Sequence, residues 1–192
     1  MTGHTPQLAV PETDRLVLRR FTPEDAGFVL RLLNEPSFIQ NIGDKGIRTL
    51  EQAARYLADG PIKSYARNGH GLNLVSLKDS LQPIGMCGLL KRDGFLDVDL
   101  GYAFLPEFCS RGYAYEATAA IVRSCSGLPR LSRIVAYVSP GNAASIRVLH
   151  KLGFSFAGMT KLDPAAPDVS LYSLPLPDDS ARAGRGQRDR LP

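Results

Sequence analysis

The chain has 192 residues, a formal charge of +4, 44% hydrophobic residues and 22% charged residues; this describes one soluble domain that buries about two-thirds of its unfolded surface. The basic excess is diffuse and forms no nucleic-acid footprint, no apolar run is long enough for a membrane span, and the start MTGHTPQLAVPETDR lacks the charged-then-apolar pattern of a signal peptide. Three cysteines (Cys87, Cys109, Cys125) without CxxC spacing and three scattered histidines (His4, His70, His150) argue against a disulfide framework and a metal site, so the expectation is a reduced, cytoplasmic protein without metal, monomeric or homodimeric.

After a loose lead-in through Pro11, RLVLRRF (Arg15 to Phe21) predicts a short strand with Leu16 and Leu18 on one face. TPEDAGFVLRLLNEP carries helix-start signals: Thr22 as N-cap, Pro23 at the first helical position, and Glu24 and Asp25 in the first turn. Phe28, Leu32 and Leu33 form its expected buried stripe, and Pro36 ends it. A second helix is predicted from Thr49 to Tyr65, with Ala53, Tyr56 and Leu57 inward. Strands Leu72 to Leu77, Pro83 to Lys91 and Leu96 to Leu105 follow, the last two joined by a turn at Asp93-Gly94. A helix from Tyr113 to about Ser126 turns Tyr113, Ala117, Ile121 and Ser124 or Cys125 inward. RIVAYV (Arg133 to Val138) reads as a buried strand. A helix from Asn142 to Leu152 stops at Gly153 in a left-handed conformation, and FSFAGM and VSLYSL close the chain as a strand pair. DDSARAGRGQRDRLP, from Asp178 on, has no apolar period and is expected to be a disordered tail. The order β-α-α-β-β-β-α-β-α-β-β predicts one domain over residues 1–177: a mixed sheet with helices on both faces, an α+β layout.

The chemistry concentrates in two places. In CSRGYA, residues 109–114, the chain bends just before a helix whose first N–H groups lack intrahelical partners and carry about half a positive charge. Gly112 and Ala114 leave room for phosphate oxygens to approach those amides, and Arg111 adds a cation. Glu116 opposes an anion if it points inward and merely complements the dipole if it points to solvent. The same six residues equally describe an ordinary strand-to-helix turn. In SPGNAASIRVLHKLGF, Asn142 is placed to cap the N–H of Ser145, and Ser145 shares a helix face with Leu149 and Leu152, so its hydroxyl adjoins the interior and needs a partner.

Together these stretches resemble the Gcn5-related N-acetyltransferase (GNAT) superfamily, in the branch of the ribosomal-protein acetyltransferases RimJ and RimL. The matching segments are TDRLVLRRFTPEDA, IGDKGIRTLEQAARYL, PIGMCGLLKRDGFLDVDLGYAFLPEF, RGYAYEA and NAASIRVLHKLGF, in this order and over roughly Thr13 to Leu174. The resemblance implies an acetyl-coenzyme A site in which the strand before the loop splays from its neighbour and the pantetheine arm enters the gap. Main-chain groups of Phe104 and Leu105 would pair with the arm, the amides of Cys109, Ser110, Arg111, Gly112, Tyr113 and Ala114 would cradle the pyrophosphate, Asn142 would hydrogen-bond the arm, and Ser145 would lie near the thioester sulfur. Three positions depart from the familiar pattern. Cys109 and Ser110 stand where this branch often has Trp and Gly, and Gly141 stands where Glu or Asp is common. Backbone amides do the gripping, so the cradle survives, but Ser110 resists the positive φ that glycine accepts.

Acetyl transfer needs a neutral amine, a donor for the developing oxyanion and a proton for the leaving thiolate. Ser145 is the candidate proton donor; its bland alternative is a hydroxyl bonded to main chain. A main-chain N–H near Phe104 can serve the oxyanion. The candidate bases are Asp93, Asp97, Asp99 and Glu107; Asp99 lies closest to the expected splay and is favoured, its alternative being a solvent-facing strand carboxylate. Cys109 reads as a loop-filling residue and not a nucleophile, His70 as a surface-loop histidine in preference to one lining the acceptor mouth, and His150 as solvated. The acceptor is a small-molecule or peptide amine, with no acidic pocket for a polycation. A coenzyme A-binding regulatory module without transfer is the alternative function, and a nucleic-acid adaptor using the arginine tail ranks last.

Overall fold

Why each segment takes its shape is legible from the computed structural model, which describes residues 8–11, 13–125 and 131–177; the expected tail from Asp178 lies outside these. Strand β1 (Leu16–Arg20) buries Leu16 and Leu18. Thr22 and Pro23 open a 3-10 turn (Pro23–Asp25) that leads into helix α1 (Ala26–Leu33). Ala26, Val29, Leu32 and Leu33 are its buried residues, while Phe28, expected in the buried stripe, is only half-buried. Pro36 does more than end this helix. It is the first residue of a helix absent from the expectation, α2 (Pro36–Ile42), at the position where a missing N–H costs nothing.

The single helix expected from Thr49 to Tyr65 is broken in two. Thr49 caps α3 (Leu50–Leu57): its Oγ1 accepts from Gln52 N at 3.2 Å, and Gln52 Oε1 accepts from Thr49 N at 3.1 Å, a reciprocal capping box. Pro61 has no N–H for the preceding turn, and the backbone widens into a π turn over Ala58–Ile62 before α4 (Lys63–Asn68). From α4, Tyr65 ties two strands together. Its Oη accepts from Phe21 N at 2.9 Å and donates to the carbonyl of Leu72.

Strands β2 (Leu72–Leu77), β3 (Pro83–Lys91) and β4 (Val98–Phe104) follow. Leu96, expected inside β4, is 95% exposed, so the strand begins later. Helix α5 (Tyr113–Ser124), strand β5 (Arg133–Val138), helix α6 (Ala143–Lys151) and strands β6 (Ser155–Thr160) and β7 (Val169–Pro175) complete the order. Ala117, Ile121 and Cys125 are buried at the expected inward positions, and Gly153 has φ 88°.

The seven strands form one sheet in the order β1-β2-β3-β4-β5-β7-β6. Every neighbouring pair is antiparallel except β4 and β5, which are parallel and joined through α5. Helices cover both faces, as the α+β layout requires. Tyr102 reaches α6, and Asp99, odd to its even on the same strand, points to the other side, toward Arg92 and α3. The decisive irregularity is at the centre. β4 and β5 pair only at Val98–Ile134 and Asp99–Val135, while β4 runs on to Phe104 and β5 to Val138. Beyond Asp99 the two strands part.

Candidate functional site

A central strand normally buries both faces, yet Gly101, Tyr102, Ala103 and Phe104 are only half-buried, because β4 loses its neighbour there. Leu105 N donates to Ile84 O at 2.9 Å, which commits that peptide edge to β3. Successive residues alternate between the two edges, so Tyr102 and Phe104 present their N–H and C=O groups to the gap. Of the two residues expected to offer main-chain groups to the gap, Phe104 does so and Leu105, whose N–H is taken by Ile84, does not; Tyr102 presents the second free edge.

Across the gap, Tyr102 Oη lies 2.7 Å from Ser145 Oγ and also donates to the Ser145 carbonyl at 3.2 Å. Burial pushes the Tyr102 phenol up to about 12, so it stays protonated through the neutral range. Ser145 is held by its own helix start: Asn142 Oδ1 accepts from Ser145 N at 3.0 Å. That cap uses the oxygen of the Asn142 amide and leaves the nitrogen as the donor for any further partner.

The loop of residues 109–114 contains two left-handed residues, Ser110 at φ 61° and Gly112 at φ 83°. Ser110 thus adopts the conformation its side chain disfavours. Gly112 is the N-cap of α5, and Glu116 N is the first to bond back to it, at 3.0 Å, so the N–H groups ahead lie outside the helix ladder. Glu116 points neither into the cradle nor freely to solvent. It is engaged by Arg15, whose main-chain N–H and Nε reach its two oxygens at 2.9 Å and 2.7 Å. Arg111 places its guanidinium 5.8 Å from the centre of the Phe108 ring. Cys109 is exposed; partial burial and Glu107 raise its thiol, and its Sγ lies 3.6 Å from Leu105 O. It is no activated thiolate.

The four carboxylates proposed as bases separate by environment. Asp93 is exposed, 3.7 Å from Arg67. Arg133 grips Asp97 at 2.7 and 2.8 Å and holds it below the usual range. Glu107 is likewise lowered, by its own backbone N–H and by Arg31 at 2.5 Å. Asp99 differs. It is 2% exposed, so the solvent-facing alternative is wrong, and burial raises its carboxyl even though Arg92 bonds it and pulls the other way. Asp99 also occupies the last paired position before the strands part. Around it, the Arg92 guanidinium lies 5.7 Å from the Tyr137 ring centre, and Phe95 meets Tyr137 edge-on at 5.6 Å. On the same side a groove of about 410 Å³ is lined by Ile47, Gln52, Arg55, Tyr56, Asp59 and Gly60.

Comparison with known proteins decides the family. The model of an acetyltransferase (GNAT) domain matches residues 15–155. The chain belongs to the GNAT family. An N-acetyltransferase named YoaA of Bacillus subtilis (strain 168), itself uncharacterized, is 28% identical over 172 residues, covering 86% of this chain and 96% of that protein. Among solved structures, an acetyltransferase from Agrobacterium tumefaciens str. C58 has a TM-score of 0.70 at 25% identity, covering 85% of this chain and 92% of its own. The ribosomal L7/L12 α-N-protein acetyltransferase RimL, in complex with coenzyme A, has a TM-score of 0.75 at 16% identity, covering 87% and 97%, and shares the fold.

Within this GNAT domain, sequence reasoning missed Arg15, Arg92, Tyr102 and Tyr137. Two of them meet partners distant in the chain, Arg15 and Glu116 being 101 residues apart and Tyr102 and Ser145 43, whereas Arg92 and Asp99 are seven apart across the turn between β3 and β4. Tyr102 alone left a signal, since a buried tyrosine needs a partner for its hydroxyl. His70 was misjudged. It is half-buried, burial lowers its imidazole, and Nδ1 is enclosed without a hydrogen-bond partner among the described residues. His150 is exposed, as expected. Among the described residues no group of His, Cys, Asp and Glu could hold a metal ion, and no helix is long and apolar enough to cross a membrane.

Proposed function

We propose that this GNAT domain transfers an acetyl group from acetyl-coenzyme A directly to the amine of a small molecule or peptide. The observation that carries the proposal is the parting of β4 from β5 beyond Asp99, with the Tyr102–Ser145 hydroxyl pair on one face of the gap and the buried Asp99 on the other. The pantetheine arm would bond the free edges of Tyr102 and Phe104 and the Asn142 amide nitrogen, and the amides of residues 109–114 would take the pyrophosphate. The acceptor would enter from the side of the α3 groove, whose volume lies in the range of small-molecule sites.

The reaction then needs no covalent enzyme intermediate. An α-amino group has a pKa near 8 and an alkyl amine near 10, so at neutral pH the ammonium must first lose a proton. The Asp99 carboxylate, directly or through one water, accepts it. The amine nitrogen bonds the thioester carbonyl carbon, and the Phe104 N–H stabilises the oxyanion. Collapse breaks the carbon–sulfur bond, and the departing thiolate takes a proton from Ser145 Oγ. The nitrogen gives up its remaining extra proton, which returns through water and the Tyr102 hydroxyl to Ser145, leaving a neutral amide, a free thiol and both hydroxyls protonated. Juxtaposing the two substrates supplies much of the acceleration.

One observation favours a second reading, a coenzyme A-binding module without transfer: Arg92 already occupies Asp99. Free-thiol release from acetyl-coenzyme A with a panel of amines and peptides separates the two. Acceptor-dependent release and a product heavier by one acetyl group are expected; saturable binding without turnover on any acceptor gives the second reading, and no binding sinks both.

A further inference from the structure

The first turn of α5 holds a contradiction. A carboxylate there satisfies the positive end of the helix, and any anion at the same amides must compete with it. Glu116 is that carboxylate, and its side chain is only 17% exposed. Burial by itself would raise its pKa, but the Arg15 main-chain N–H and guanidinium outweigh that and keep it ionised. A full negative charge therefore stands beside the cradle.

We propose that Arg15 is a positioning residue for anion binding, one that cancels and turns aside Glu116 while locking the loop between its two left-handed residues. Arg15 occupies both Glu116 oxygens, at 2.9 and 2.7 Å. Its Nη1 donates to the Arg111 carbonyl at 3.2 Å, fixing the peptide that joins Arg111 to Gly112. Its guanidinium carbon lies 4.6 Å from the centre of the Tyr113 ring, and a Cβ on Gly112 would stand 3.3 Å from its Nη2. One side chain from the residue just ahead of β1 thus touches residues 111, 113 and 116 and crowds 112. The main-chain bond to one Glu116 oxygen is open to any residue, but a lysine ammonium lacks the rigid fork that serves the other Glu116 oxygen and the Arg111 carbonyl together. The consequence is that the residue leading into β1, which need not touch the ligand, sets how strongly α5 attracts it.

This inference rests on the coenzyme A reading, so the parent protein is titrated with coenzyme A by calorimetry first. A parent that does not bind sinks that reading. Given binding, Arg15→Ala is expected to weaken coenzyme A roughly tenfold, to raise KM for acetyl-coenzyme A with kcat little changed, and to leave kcat/KM for S-acetylpantetheine, which has no pyrophosphate, within about twofold. Arg15→Ala combined with Glu116→Gln is expected to recover coenzyme A affinity to within about threefold of the parent, because the opposing charge is gone. An Arg15→Ala protein that binds like the parent, an equal loss with S-acetylpantetheine, or a double variant no better than the single one overturns the role. If Arg15→Ala does not fold, Arg15→Lys carries the same test: a loss of about threefold is expected, and parental affinity overturns it.

Discussion

Asp99 and Ser110 show how one residue's surroundings decide its use. Of the four candidate carboxylates, Asp99 is the buried one, and burial raises its pKa against the opposing Arg92. In the proposed role of base it must be ionised, so activity should rise with pH through this raised pKa, and the acid limb of kcat/KM should lie above the ordinary value of about 4. Asp99→Asn should remove that limb and lower kcat by roughly 10²–10⁴; a pH–rate profile that keeps its acid limb in the variant would assign the base elsewhere. Ser110 presents a different balance. A left-handed non-glycine residue costs about 1–2 kcal/mol, whereas glycine costs about 0.5–1 kcal/mol in extra unfolded-state entropy. Ser110, at φ 61°, therefore loses on balance, and Ser110→Gly should stabilise the protein by about 0.5–1 kcal/mol in urea unfolding. A midpoint that falls would mean that the serine side chain contributes a bond worth more than the strain.

At the scale of elements, local signals and tertiary demands separate cleanly. Strands β2 and β3 and the start of α6 follow from apolar runs, turn residues and an Asn cap, all readable within a few neighbouring positions. Where proline sat, the local signal was ambiguous: Pro36 starts α2 instead of only ending α1, and Pro61 sits inside a π turn. Proline lacks a donor and fixes φ, but neighbours decide whether the chain stops, restarts or bulges there. At Pro61 the chain continues because α4 carries Tyr65, which bonds β1's exit at Phe21 and β2's entry at Leu72. Burial pushes the Tyr65 phenol up to about 12, so it does not ionise in the physiological range. Tyr65→Phe would leave a buried N–H and a buried C=O unpaired, which costs about 1–3 kcal/mol for each group. The expected loss is about 3 kcal/mol in chemical denaturation; a loss under about 0.5 kcal/mol would show that other partners replace the hydroxyl.

Across the whole molecule the sheet behaves as two unequal parts, β1-β2-β3-β4 and β5-β7-β6, hinged at two residue pairs. The sequence carried the order of these parts and the helix between them, together with Asn142 and Ser145, because each depends on contiguous residues. It did not carry the parting of the strands, which only the resemblance implied: a strand such as VDLGYAF has the same apolar alternation whether its neighbour continues or leaves. Nor did it carry the long-range pairs Arg15–Glu116 and Tyr102–Ser145, which exist only after folding, or the Arg92–Asp99 pair closed by the turn between β3 and β4. An arm filling the gap bonds groups of both parts and should therefore stabilise the native state as a whole. At a hundred times its dissociation constant, coenzyme A should add about 2.7 kcal/mol, and for a chain of this size raise Tm by about 5–10 °C. Hydrogen exchange locates the effect. The amides of Tyr102 and Phe104 face the gap and should slow on adding coenzyme A, while that of Ala103, directed to β3 opposite Met86, should show only the global change. A rise in Tm with Tyr102 and Phe104 no more protected than Ala103 would mean that coenzyme A binds outside the gap between β4 and β5.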